Sequence, residues 1–212
     1  MDEVLAGVRL IRRTSVLLGA ISLDLFAVLL GGAVALLPIF AKDILEVGPV
    51  GYGWMASAPA IGAILMSLAI MHRRPMAKAG QALLVAVAGF GVAIIVFGLS
   101  RSFALSFAAL LMTGAFDCIS VIVRSTTLQL SMPDHMRGRV AAVNNIFIGT
   151  SNELGAFESG FAANYLGLVP SVVFGGCVSI VTVIVAGLVA PKLRALDLQA
   201  LSKAEAPSER GT

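Results

Sequence analysis

Six long apolar runs, separated by short charged segments, limit what this chain can fold into. The runs cover residues 16–40, 50–71, 80–99, 103–123, 140–161 and 168–190. Roughly 20 apolar residues cross the hydrocarbon core of a bilayer as one helix, so each run is long enough to span it. The runs are continuous and do not alternate with polar residues, which excludes a β-barrel. The pattern predicts an all-α membrane protein with six transmembrane helices.

The composition supports a bilayer as the partner of this chain. Hydrophobic residues make up 58% of the 212 and charged residues 13%, whereas about a quarter of an average soluble protein is charged. The charges form short clusters between the runs, without interleaved aromatic residues, which argues against nucleic acid as a partner. We expect a cytoplasmic linker at 1–15, a six-helix transmembrane unit at 16–198 and a disordered cytoplasmic tail at 199–212.

Basic residues lie almost entirely on one side of the predicted crossings. Of the 15 lysines and arginines, only Lys42 and Arg101 fall on the side opposite the termini. Cytoplasmic loops of membrane proteins carry an excess of Lys and Arg. The chain is therefore predicted to be a multi-pass protein of the cell (inner or plasma) membrane with both termini cytoplasmic.

Four acidic residues interrupt the runs. Asp24 lies in the first, Asp117 in the fourth, and Glu153 and Glu158 in the fifth. Ionisable groups in hydrocarbon are costly, usually face the bundle interior and often carry function. The second, third and sixth runs contain none. The first, fourth and fifth helices are therefore predicted to line a polar interior.

Asp24 and Asp117 are predicted at one depth, roughly 10–12 Å from the cytoplasmic boundary. Arg124 follows Asp117 by seven residues and lies on the same helical face. Three roles stay open for the two acids. They could pair with cytoplasmic arginines and hold one conformation shut, couple protons or substrate, or line a solvated vestibule.

The fifth run is the least apolar of the six. Small and polar residues recur in it at helical spacing, at Asn145, Gly149, Asn152, Ala156 and Gly160. Glu153 falls near the midplane beside this stripe. Because amides and a carboxyl group at that depth need water or protein around them, we expect the stripe, with Glu153 and Glu158, to line a cavity.

Residues that would indicate an enzyme or a metal site are missing from the apolar runs. The two histidines, His72 and His135, fall in predicted cytoplasmic loops, and no zinc-protease or phosphate-binding motif occurs. Cys118 and Cys177 lie inside apolar runs, as small buried hydrophobic residues do. We therefore expect a protein that is not an enzyme, with no cofactor and no metal.

Several segments together resemble the second half of a major facilitator superfamily transporter. They are Gly31-Gly32, Leu37-Pro38, Phe40-Ala41, Gly48-Pro49-Val50-Gly51-Tyr52-Gly53, Phe116-Asp117, Ser120-Val121-Ile122-Val123-Arg124, Pro133-Asp134, Arg137-Gly138-Arg139-Val140, Ser151-Asn152-Glu153-Leu154-Gly155 and Glu158-Ser159-Gly160. The chain most resembles the branch that contains the enterobactin exporter. This resemblance implies half of the superfamily fold, built from two inverted three-helix repeats. It also implies a cytoplasmic gating loop with Asp134, Arg137 and Arg139.

The resemblance and the acids together predict proton-coupled export of a small organic molecule by alternating access. The alternative is a non-transporting membrane subunit or an inactive truncated remnant. The chain begins in what would be the linker between two halves. Its expected partners are therefore the missing N-terminal six-helix half or a second copy of itself, besides the lipid bilayer and a small-molecule substrate.

Cysteine labelling tests the predicted orientation. Cysteines introduced at Lys42 and Arg101 should react with an impermeant thiol reagent added outside intact cells, because both positions are predicted to be extracellular. Cysteines at Arg74 and Arg137 should not react until the membrane is permeabilised. Labelling in the reverse pattern would overturn the orientation and the depths assigned to Asp24 and Asp117.

Overall fold

The computed structural model describes residues 33–71, 78–130, 134–189 and 194, and these ranges are helical apart from short connections. A 3-10 turn, Ala33–Leu36, leads into α1 (Leu37–Asp43). The longer helices are α2 (Pro49–Met71), α3 (Ala79–Leu99), α4 (Phe103–Leu130), α5 (Asp134–Leu166) and α6 (Leu168–Val189). Pro38 falls in the first turn of α1, where its missing N–H costs nothing.

Four helices of the described ranges, α2, α3, α4 and α6, are long and apolar enough to cross a membrane. They confirm an all-helical membrane protein. They do not confirm the predicted count of six crossings. Residues 16–32 of the first apolar run lie outside the described residues. Helix α5 is 33 residues long, roughly 50 Å, but its acids and amides lower its hydropathy.

Helices α4 and α5 are longer than the apolar runs that predicted them. Helix α4 continues from 123 to Leu130, and α5 begins at Asp134 and ends at Leu166. The loop predicted at 133–140 is therefore wrong from Asp134 onward, and Asp134, Arg137 and Arg139 belong to the first two turns of α5. Polar residues at a membrane boundary lower the hydropathy of a segment but do not stop a helix. In turns that face water, a helix continues readily through such residues.

The largest apolar cluster lies at one end of the bundle. There the start of α2 and of α4 meet α1 and the end of α3, around the fully buried Phe40, Met55, Phe97 and Leu110. The rings of Phe40 and Phe97 lie 4.5 Å apart, centroid to centroid. We call this end the Lys42 end, because Lys42 lies in the last turn of α1.

Two tight turns at the Lys42 end join neighbouring helices. Gly167 alone connects α5 to α6 with φ of +86°, a conformation that glycine adopts without strain. In the turn between α3 and α4, the buried Ser106 hydroxyl donates to the Ser100 hydroxyl oxygen at 2.9 Å. Ser100 in turn donates to the Ser102 carbonyl oxygen at 3.0 Å. These bonds hold the two helix ends in register.

Glycines bring helix backbones into direct contact at two crossings. Between α2 and α4, a Cβ at Gly62 would overlap the Leu111 carbonyl oxygen, and one at Gly114 would overlap the Pro59 carbonyl oxygen. Between α3 and α6, a Cβ at Gly91 would lie 2.9 Å from the Gly176 carbonyl oxygen, and one at Gly176 would lie 2.8 Å from the Gly91 carbonyl oxygen. In a membrane, small residues of this kind allow the close packing that holds helices together.

A pair of glycine substitutions in α2 tests this packing. Gly62→Ala should lower the free energy of unfolding by about 1–3 kcal/mol, as overpacking does, because the added methyl meets a backbone oxygen that cannot rotate away. Gly53→Ala in the same helix should be neutral or slightly stabilising, since nothing lies within 4 Å of a Cβ there. Thermal unfolding of both variants in detergent measures the difference. Equal melting temperatures would contradict the crossing.

Candidate functional site

One face of α4 carries polar side chains along most of its length. At spacings of three and four residues it presents Thr113, Asp117, Ser120, Arg124 and Thr127. All are buried except Asp117, which is half-buried. The Thr113 hydroxyl donates to the Leu110 carbonyl oxygen at 2.6 Å, and the Thr127 hydroxyl to the Val123 carbonyl oxygen at 2.7 Å. These threonines therefore satisfy their own hydrogen bonds within the helix.

Asp117 and Arg124 are the charged members of this face. Their seven-residue separation corresponds to roughly 10 Å along the helix axis, which is too far for a direct pair along one helix. The Arg124 side chain is 4% exposed. It lies inside α4, almost two turns before the last residue of the helix, Leu130. A buried charge is stable only where other groups compensate it, so this face is a polar interior.

The surface of α5 divides into sectors that differ in chemistry. Successive residues rotate by about 100° around a helix, which places Asn145, Gly149, Asn152 and Gly160 within one narrow sector. All four are exposed. A Cβ at Gly149 or Gly160 would have no atom within 4 Å. Four of the five residues of the predicted stripe are therefore exposed, and we call these four the polar sector. Ala156, which lies between them, is half-buried.

A second exposed sector of α5 is aromatic. Phe157 is 74% exposed, Phe161 57% and Tyr165 72%, and the rings of Phe161 and Tyr165 lie 4.7 Å apart, centroid to centroid. Glu153 is exposed and precedes Phe157 by one helical step of four residues. Sequence reasoning singled out Glu153 but not the aromatic residues, although their four-residue spacing was visible.

The remaining side of α5 packs against the bundle, chiefly against α6. Ser151 and Ser159 are buried there, and the Ser171 hydroxyl of α6 donates to the Ser159 carbonyl oxygen at 3.4 Å. Glu158 is half-buried at the border of this packed side. It lies about 140° around the helix from Glu153. The two glutamates therefore face different surroundings and do not form a pair.

The structure sorts the predicted site residues into two groups. Asp117 and Arg124 belong to α4, which packs mainly on α2 and α3, whereas the amides and glutamates belong to α5. Asp24 lies outside the described residues. The side chains of Asp134, Arg137 and Arg139 also lie outside them, although the backbone there is helical.

Comparison with known proteins gives one match. A family model of the major facilitator superfamily, described as transmembrane secretion effector, matches residues 2–210. The matched segment covers nearly the whole chain, including the polar face of α4 and the polar sector of α5. No curated protein and no solved structure matches the chain.

Proposed function

Because this chain belongs to the transmembrane secretion effector family of the major facilitator superfamily, we propose that it is the second half of a transporter that exports a small organic molecule by alternating access. Its membership of this family and its apolar helices make the chain a multi-pass membrane protein. The observation that carries the proposal is the polar sector of α5, an exposed row of amides and glycines on one helix of a largely apolar bundle.

The physical argument for a cavity is the cost of leaving that sector in lipid. A charged side chain at the centre of a membrane helix costs about 2.5–3.5 kcal/mol on insertion scales. Glu153 and Asn152 are exposed near the middle of α5. Water in a central groove, or a partner that lines the other side of that groove, removes this cost. Small residues at Gly149 and Gly160 then leave room for a substrate beside the backbone.

Proton coupling is assigned to the polar face of α4. A carboxyl group that gains a proton in one conformation and loses it in the other links transport to a proton gradient. Asp117 and Arg124 lie on that face, and Asp24 joins them in the proposal from the first helix. The proposed cavity then consists of Asn145, Asn152, Glu153 and Glu158, with gating by Asp134, Arg137 and Arg139 at the cytoplasmic start of α5.

The partner is proposed to be a first six-helix half or a second copy of this chain. The predicted bias of positive charge puts two copies in one orientation, so a homodimer would have its axis normal to the membrane. Within the half, two inverted repeats would give α3 and α6 equivalent positions, and the reciprocal close approach of Gly91 and Gly176 supports this arrangement. We place the chain in the enterobactin-exporter-like branch, in the inner or plasma membrane, with cytoplasmic termini.

Proteoliposomes that contain a pH-sensitive dye test the proposed coupling. Siderophores, drugs and other amphipathic metabolites are added to vesicles that hold the chain alone or together with a first half. At least one should drive proton flux above that of empty vesicles. Asp117→Asn should reduce this flux at least tenfold, because the side chain no longer exchanges a proton. Asp43→Asn should leave it unchanged, since Asp43 is an exposed acid at the Lys42 end.

Two outcomes would contradict the proposal. Flux no greater than that of empty vesicles, with and without a first half, would favour a non-transporting subunit or an inactive remnant. If Asp117→Asn does not change the flux, proton coupling is wrongly assigned to α4, but the proposal that the chain takes part in transport is unaffected.

A further inference from the structure

We propose that a row of four side chains on α5, Glu153, Phe157, Phe161 and Tyr165, binds lipophilic organic cations. We call this row the acid–aromatic ladder. The inference rests on the proposed transport function and deepens it, because it makes organic cations the substrate class.

The ladder is continuous along one side of the helix. Its members recur every four residues, and each step rises about 6 Å and turns about 40°. Every member is exposed, including Phe157 at 74% and Tyr165 at 72%. The ring contact between Phe161 and Tyr165, with centroids 4.7 Å apart, shows that side chains one step apart reach each other. Glu153 is therefore within reach of a ligand that also touches Phe157.

The position of the ladder suits the path of an exported molecule. Glu153 lies 13 residues before Leu166, the last residue of α5, and thus about 20 Å from the Lys42 end. Tyr165 lies at that end. The carboxyl group is therefore deep in the membrane, and the aromatic rings lead from it to the surface where Lys42 and Arg101 lie.

The side chains of the ladder favour ligands that are both positively charged and apolar. The face of an aromatic ring carries negative electrostatic potential and attracts ammonium and similar cations. A carboxylate at the deep end adds a full negative charge. A lipophilic cation gains from both groups, whereas an anion of the same size and shape is repelled by both.

The parts of α5 and α6 that the structure describes place no lysine or arginine near Glu153. Helix α5 contains no lysine or arginine after Arg139, and α6 contains none. An ionised group at membrane depth ordinarily pairs with another charge or faces water. The alternative is that the row belongs to the belt of aromatic residues at the membrane–water interface and faces only lipid. That alternative would explain Tyr165 at the boundary. It does not explain a glutamate at the deep end of the same row.

Equilibrium binding of tetraphenylphosphonium to the purified full chain in lipid nanodiscs tests the ladder. The wild-type chain should bind this cation above the level of empty nanodiscs, and tetraphenylborate, an anion of matching shape, should not compete. Glu153→Gln should weaken binding at least tenfold and Glu153→Asp much less. Phe157→Ala should weaken it about three- to tenfold, within the range of a single cation–π contact.

Two control variants separate the ladder from general effects of substitution. Asp43→Asn removes an exposed acid that lies in no proposed site, and Phe174→Ala removes a 49% exposed ring of α6; both should bind as the wild type does. The inference is overturned if the wild type does not bind the cation, if tetraphenylborate competes equally, or if Glu153→Gln binds unchanged. None of these results would rule out proton flux driven by other substrates. The proposed function and the ladder are therefore tested separately.

Discussion

A charged or amide side chain at membrane depth must contact water, protein or ligand, and the arrangement of this protein follows from that requirement. Helix α4 meets it by burying its polar face, where threonine hydroxyls donate to the backbone one turn earlier. Helix α5 meets it differently, because Asn145, Asn152 and Glu153 stay exposed on the surface of the described bundle. The buried polar face of α4 forms a polar interior. The exposed polar side chains of α5 require a contact with water, protein or ligand from outside the described helices.

Packing explains why α5 and not α4 is open. Backbone contacts at Gly62 and Gly114 fix α4 against α2, and those at Gly91 and Gly176 fix α3 against α6. The apolar cluster around Phe40 and Phe97 joins these helices at the Lys42 end. Together these contacts pack the five helices into one frame. Among the described helices, α5 packs on that frame by one side only, so within these ranges its polar and aromatic sectors stay uncovered.

The sequence predicted those features that depend on hydropathy alone. The bounds of α2, α3 and α6 were predicted to within one residue, since each of these helices is apolar almost from end to end. The last residue of α4 and both ends of α5 were missed because hydrogen bonding, and not hydropathy, decides where a helix stops. For the same reason Arg124 lies within α4, although the apolar run that predicted this helix ends at residue 123.

The candidate site was predictable in part. The stripe on α5 follows from helical spacing, and four of its five residues are exposed on the described bundle. That it lines a cavity stays a prediction. The separation of Glu153 from Glu158 follows equally from spacing, but which of them packs against α6 depends on tertiary contacts. The aromatic ladder was overlooked because phenylalanine in an apolar run is ordinary, and its exposure becomes visible only when the neighbouring helices are in place.

The central claim is that the polar sector of α5 faces water or a water-filled cavity and not lipid. It is tested most directly by the reaction of a charged methanethiosulfonate reagent with Asn152→Cys in nanodiscs, after Cys118 and Cys177 are replaced by alanine. The control is Val181→Cys on α6, which is 55% exposed at a similar depth. We expect the thiol at position 152 to react at least tenfold faster, because a charged reagent needs water to reach it. Equally slow reaction at both positions would show that the polar sector is covered by lipid and would contradict the account.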